Sequence, residues 1–163
     1  MSWTAVISSQ EDWKNIASVV SGLKIAADSC NEESFTELDF SRFGNVRNIE
    51  IGSNSLKSVN RMNLDGMNKL GEMDIAQTSL VNTKELTIGS NSLNSPELTS
   101  INLKAFSHLQ KLAIGSNAMT KMKNITISHM DELKSLSIGS NAMNEVIKYV
   151  IERYNDISNT FND

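Results

Sequence analysis

The sequence predicts a repeat solenoid, a coil of short parallel β-strands with about 24 residues per turn, and three observations carry the prediction. The tetrapeptide Ile-Gly-Ser-Asn occurs four times, at Ile51 to Asn54, Ile88 to Asn91, Ile114 to Asn117 and Ile138 to Asn141. Each copy follows an apolar-x pair and precedes Ser-Leu or Ala-Met. Short apolar-x-apolar tripeptides recur through the chain between and around these copies. The two ends lack the pattern. One such unit cannot bury its own apolar side, whereas stacked units make a continuous core with a regular outer surface.

The tripeptides supply the strands. They are Leu23-Lys24-Ile25, Leu38-Asp39-Phe40, Ile49-Glu50-Ile51, Met62-Asn63-Leu64, Met73-Asp74-Ile75, Leu86-Thr87-Ile88, Ile101-Asn102-Leu103, Leu112-Ala113-Ile114, Ile125-Thr126-Ile127 and Leu136-Ser137-Ile138. Alternation of this kind points the outer two residues inward and the middle one outward. Two consecutive steps usually add up to about 24 residues, which gives two extended pieces per turn and a coil with two faces. One irregularity stands out: Leu86 follows Met73 although both segments are of the strong type. Either the segment types exchange faces near residues 76–100 or one short turn lacks its partner. Pro96, the only proline, predicts a bulged loop over Asn94 to Leu98.

The ends read as caps. Ser8 or Ser9 followed by Glu11 and Asp12 is a helix start, with Trp13, Ile16 and Val20 on one helical face. A capping helix is expected from about Ser9 to Val20, within residues 8–21. The solenoid is expected over residues 22–143. Beyond it Val146, Ile147, Tyr149, Val150, Ile151, Tyr154, Ile157 and Phe161 form a broad apolar stripe at helical spacing, and a C-terminal capping helix is expected over residues 144–161. The whole chain, 1–163, reads as one domain.

The residues around the strong copies carry a resemblance. Leu109-x-x-Leu112-x-Ile114-x-x-Asn117-x-Met119 and Leu133-x-x-Leu136-x-Ile138-x-x-Asn141-x-Met143 resemble the leucine-rich-repeat signature, and Val46 to Leu56 is similar. Leu70 to Leu80 keeps the apolar positions but has Thr78 in place of asparagine. The units also resemble the bacterial surface-protein subclass with its Ile-Gly-x-x-Ala-Phe motif. They are similar as well to leucine-rich-repeat proteins of unicellular eukaryotes, through Ser9 to Trp13, Leu38 to Phe43 and Ile51 to Leu56. The resemblance covers about residues 8–143 and implies a leucine-rich-repeat coil.

Within the unit, Asn54, Asn91, Asn117 and Asn141 are expected to form a ladder whose amides bond buried backbone groups of neighbouring turns. Gly52, Gly89, Gly115 and Gly139 stand where a bend or a positive φ favours a missing Cβ. Small Ser and Ala beside them permit close stacking. Cys30 aligns with Leu56 and reads as a buried apolar residue.

Composition excludes several functions. With 39% apolar and 21% charged residues the chain is neither disordered nor built of membrane spans, and no membrane insertion is expected. The start lacks the basic and apolar stretches of a signal peptide, and the lone cysteine favours a reducing compartment. A cytoplasmic location is therefore favoured, or an extracellular one if a leader is missing. Asn124-Ile125-Thr126 fits a glycosylation sequon within an expected strand. His108 and His129 read as solvated polar residues. Metal spacing, a phosphate loop and a nucleophile turn are all missing, so no catalysis, cofactor or metal is expected. A net charge of −4 without a basic aromatic patch argues against nucleic acid.

What remains is a non-catalytic scaffold that binds another protein through its exposed sheet face. Outward residues are acidic early in the chain and neutral to basic late, and the candidate contacts are Asp39, Glu50, Asn63, Asp74 and Thr87. A basic partner fits such a strip. The alternative is a structural protein that forms homo-oligomers or filaments through its ends or sheet edges. Both tryptophans precede the repeats and both tyrosines follow them, which leaves Trp3 and Phe161 as end contacts.

Overall fold

The computed structural model describes all residues except 1, 128–129, 145, 147–158 and 162–163. Its elements run β1 (Thr4–Ile7), α1 (Gln10–Asn15), β2 (Gly22–Ile25), β3 (Glu37–Asp39), β4 (Asn48–Ile51), β5 (Arg61–Leu64), β6 (Glu72–Ile75), β7 (Glu85–Ile88), β8 (Ser100–Asn102), β9 (Lys111–Ile114), β10 (Asn124–Thr126), β11 (Ser135–Ile138) and β12 (Asn159–Phe161). All paired strands are parallel. They form a β-solenoid of about five turns with roughly 24 residues per turn. The first face orders β1-β2-β4-β6 and continues with the separate pair β8-β10; the second orders β3-β5-β7-β9-β11-β12. Leu38, Met62 and Leu86 stack in register at intervals of 24 residues.

Strands β3 to β11 alternate outward and inward, as the tripeptides require, and the inward side chains join one buried cluster running from Ile7 to Val146. The connectors between strands are also regular. Phe43 donates its backbone N–H to Phe40 at 2.9 Å and Val46 to Phe43 at 3.2 Å; Phe106 and Leu109 repeat the pattern after Leu103. Tight turns of this type point every third residue the same way, so apolar residues spaced by three through the connectors keep the core filled between strands.

The N-terminal end differs from expectation. The helix is only six residues long, capped by Ser9, whose Oγ accepts the Asp12 N–H at 3.0 Å while an Asp12 carboxylate oxygen accepts the Ser8 N–H at 2.9 Å. It stops at Ile16, which is extended. Arg42 ends it: the guanidinium donates to the carbonyls of Trp13 and Ile16 and lies 4.3 Å above the Phe43 ring. Trp13 packs edge-on to Phe40 and Phe43, with ring centroids 5.2 Å away in both cases. The chain then turns at Ala17 and Val20 to enter β2. The first turn is covered instead by β1, a strand that pairs Ala5 with Leu23 and Ile7 with Ile25. The C-terminal helix expected over 144–161 falls mostly outside the described residues. At its far end Asn159–Phe161 is a strand on β11, not helix.

The irregularity near residue 76 is an exchange of faces. The Ile-Gly-Ser-Asn strand lies on the first face in β4 and on the second face in β7, β9 and β11. The first face is interrupted at the same place, because β6 and β8 belong to separate ladders. Asn94 to Leu98 is a loop as Pro96 predicts, closed by one turn from the Leu98 N–H to the Ser95 carbonyl.

The asparagine ladder is corrected. Asn54, Asn91, Asn117 and Asn141 are exposed and left-handed, with φ between 55° and 60°. Asparagine suits them because it tolerates that conformation better than other residues with a Cβ. The buried column lies one residue later, at Ser55, Ser92, Ala118 and Ala142. The next residues, Leu56, Leu93, Met119 and Met143, are left-handed again, and Cys30 matches them with φ 58 and a buried side chain. Asparagine does staple adjacent turns, but from elsewhere. Asn31 donates to the Asn54 carbonyl and accepts from Lys57; Asn68 donates to Asn91 and accepts from Asn94; Asn94 donates to Asn117 and accepts from Thr120, all at 2.8 to 3.0 Å. The glycines also serve differently. At Gly52, Gly115 and Gly139 a Cβ would lie 2.3 to 2.6 Å from a backbone nitrogen of the preceding turn, so close approach excludes a side chain.

Candidate binding surface

The outward residues of each strand form straight rows, because parallel in-register strands place equivalent positions about 4.8 Å apart along the stack. On the first face Val6, Lys24, Glu50 and Asp74 share one row, and Thr4, Gly22, Asn48 and Glu72 share the other. On the second face Asp39, Asn63, Thr87, Ala113 and Ser137 line up beside Glu37, Arg61, Glu85, Lys111 and Ser135. The five expected contact residues are therefore split. Glu50 and Asp74 stand together on the first face, while Asp39, Asn63 and Thr87 lie on the opposite one. The face exchange explains the separation.

The two faces differ electrostatically. The first carries a shallow hollow of about 230 Å³ lined by Thr4, Lys24, Asn48, Glu50, Glu72 and Asp74. Lys24 Nζ lies 3.7 Å from Glu50 Oε1, with both side chains about half exposed. A second hollow opens at the interruption, where Glu97, Ser100, Asn102 and Thr126 join Glu72 and Asp74. Glu50, Glu72 and Asp74 thus stand together on this face with Glu97 at the second hollow; Lys24 lies beside Glu50, and the exposed Arg47 and Lys123 precede β4 and β10 as Lys84 and Lys134 precede β7 and β11.

On the second face acids and bases alternate along the Glu37, Arg61, Glu85, Lys111 row, and Arg61 Nε meets Glu85 Oε2 at 3.1 Å. Asp39 is engaged locally, accepting from the Ser41 N–H at 2.9 Å and from the Asn63 amide at 3.2 Å. Towards the C-terminal turns a hollow of about 450 Å³ is lined by Arg61, Lys84, Lys111 and Lys134 with Asn60, Glu85 and Gln110.

Sequence reasoning missed Glu97, Lys84 and Lys134 because it followed the strand positions alone. A signal was present: Asn60, Lys84, Gln110 and Lys134 each precede an inward strand residue by two, and the backbone ties them rung to rung, Lys84 to Asn60, Gln110 to Lys84 and Lys134 to Gln110. His129 lies outside the described residues. His108 Nδ1 lies 2.8 Å from Glu132 Oε1, and this hydrogen bond holds the Glu132 carboxyl below its ordinary value. Burial pushes the Cys30 thiol up, which suits a packing role and not a nucleophile. Among the described residues no three His, Cys, Asp or Glu side chains are placed to hold a metal ion, and no helix is long and apolar enough to cross a membrane. No family model, curated protein or solved structure matches the chain.

Proposed function

We propose that the chain is a non-catalytic leucine-rich-repeat scaffold that binds a basic polypeptide on its first face. The leucine-rich-repeat type is supported by the Leu-x-x-Leu-x-Ile spacing, whose three apolar residues are buried in each of the units Leu109 to Ile114 and Leu133 to Ile138. The observation that carries the binding role is the concentration of Glu50, Glu72, Asp74 and Glu97 on one face, while on the opposite face Arg61 pairs with Glu85 and the remaining lysines gather towards the C-terminal turns. Carboxylates one rung apart on a rigid sheet offer an extended chain regularly spaced acceptors. Repulsion among them favours release of that strain by a cationic partner. The faces carry no Trp or Tyr anchor on the described strands, so recognition rests on charge and association rate more than on deep pockets.

The test uses a lysine-rich peptide labelled for fluorescence anisotropy. Wild-type binding is expected to weaken steeply as salt rises, since screening shortens to about 10 Å at 0.1 M. Glu50→Lys with Asp74→Lys, both at exposed positions, should leave stability within about 0.5 kcal/mol per site and weaken binding by about tenfold or more, equivalent to about 1.4 kcal/mol. Unchanged affinity in the folded double variant would reject the first face as the recognition surface.

A further inference from the structure

We propose that the basic partner of the acidic face is a second copy of this chain, presenting Lys84, Lys111 and Lys134 of its own second face. The inference rests on the acidic-face reading above and adds the identity of the partner. In a chain of net charge −4, three lysines converge with Arg61 around one hollow. The nearby carboxylates are already used: Glu85 by Arg61 at 3.1 Å and Glu132 by His108 at 2.8 Å. Among the described residues none of the three lysines has a carboxylate within 4.0 Å in an ion pair.

Charge complementarity is joined by a match of spacing. Glu50 and Asp74 are register partners on adjacent rungs of the first face. Lys111 opens β9, and Lys134 immediately precedes Ser135, the register partner of Lys111 on the next rung of the second face. Lys111 and Lys134 therefore stand one rung apart, as Glu50 and Asp74 do, about 4.8 Å along the stack, so these two pairs of opposite charge can meet in step.

The placement of the patches decides the kind of assembly. The acidic one runs from β4 through β6 to Glu97, ahead of β8, on the first face, and the basic one spans β7 to β11 on the opposite face. A contact between them is heterologous, leaving one acidic and one basic face free on every pair. Copies stack side by side, staggered along the coil axis, and the series stays open.

Sedimentation velocity on the full chain tests this. At about 0.01 M salt, where screening reaches about 30 Å, the average mass of the wild type should climb with concentration, and at about 1 M salt it should return to that of the monomer. Glu50→Gln with Asp74→Asn removes one face, and Lys111→Gln with Lys134→Gln removes the other. Each double variant alone should stay monomeric, whereas an equimolar mixture should stop at a dimer, because only one compatible pair of faces survives. A wild type that stays monomeric at low salt overturns the proposal, as does a Lys111→Gln, Lys134→Gln variant that associates like the wild type. If the monomeric wild type still binds the lysine-rich peptide, the self-association is rejected while the acidic-face reading stands with another partner.

Discussion

Gly115 lies against Ser90 of the preceding turn so closely that a Cβ on the glycine would stand 2.3 Å from the Ser90 amide nitrogen. The neighbour is backbone held by the same stack and cannot swing away as a long side chain would. Gly115→Ala should therefore push the two turns apart and cost about 2 to 4 kcal/mol, within the range of overpacked cores and backbone clashes. Gly44 is the control: nothing lies within 4 Å of its would-be Cβ and its φ is not left-handed. Gly44→Ala should be neutral or stabilise by up to about 1 kcal/mol through the unfolded chain. Urea midpoints decide, and equal values for the two variants would contradict the close approach.

Asn94 and Asn117 separate the two roles of asparagine in the coil. The Asn94 side chain donates to the Asn117 carbonyl at 2.8 Å and accepts from the Thr120 N–H at 2.9 Å, joining two turns. Asn94→Ala removes these bonds and a third from the Thr120 hydroxyl at 3.0 Å, and should cost about 1 to 2 kcal/mol. Asn117 contributes its left-handed conformation, φ 57, and its side chain is exposed. Asn117→Gly should then cost less than about 0.5 kcal/mol. Chemical denaturation of both variants checks the order, and a larger loss for Asn117→Gly would restore it to the ladder.

The strands were legible because alternation survives even in three residues. Leu38, Met62, Leu86 and Leu112 fall where the tripeptides put them, and of the two readings of the Met73 to Leu86 step the strand order shows the exchange of faces. The corners were not legible. Ile-Gly-Ser-Asn is equally consistent with a buried asparagine and with an exposed left-handed one, and only the stacking of turns distinguishes them. Asn31, Asn68 and Asn94 sit in connectors with no strong motif, yet geometry brings each beside the turn that follows. The helix at the start was overextended because Trp13, Ile16 and Val20 are all at least partly buried without being helical throughout. They cover the end of a coil, and a turn does that as well as a helix.

The candidate surface was legible as composition and not as placement. Glu50 and Asp74 are register partners, and Asp39, Asn63 and Thr87 are register partners, but no sequence position states that the two sets lie on opposite faces. Acidity early and basicity late is a linear gradient along the chain. Coiling converts it into an acidic patch on one face and a basic patch on the other, which is a property of the fold.

Glu132 tests the electrostatics of the second face. The hydrogen bond from His108, followed by the charge of His108, a hydrogen bond with Gln110 and the charge of Lys84, holds its carboxyl below the ordinary value of 4.5. A carboxyl whose folded value is depressed contributes stability that is complete above the unfolded value and is lost as pH falls through the folded one. The wild type should therefore lose a small increment of thermal stability on acidification below about pH 4.5, and Glu132→Gln should not show that increment. A carbon NMR titration reads the site directly. In His108→Leu the Glu132 carboxyl should titrate closer to its ordinary value, because the first and largest cause is gone. If the titration does not move, the hold on Glu132 comes from Lys84 and Gln110 of the basic row, and His108 is a bystander at the rim of that patch.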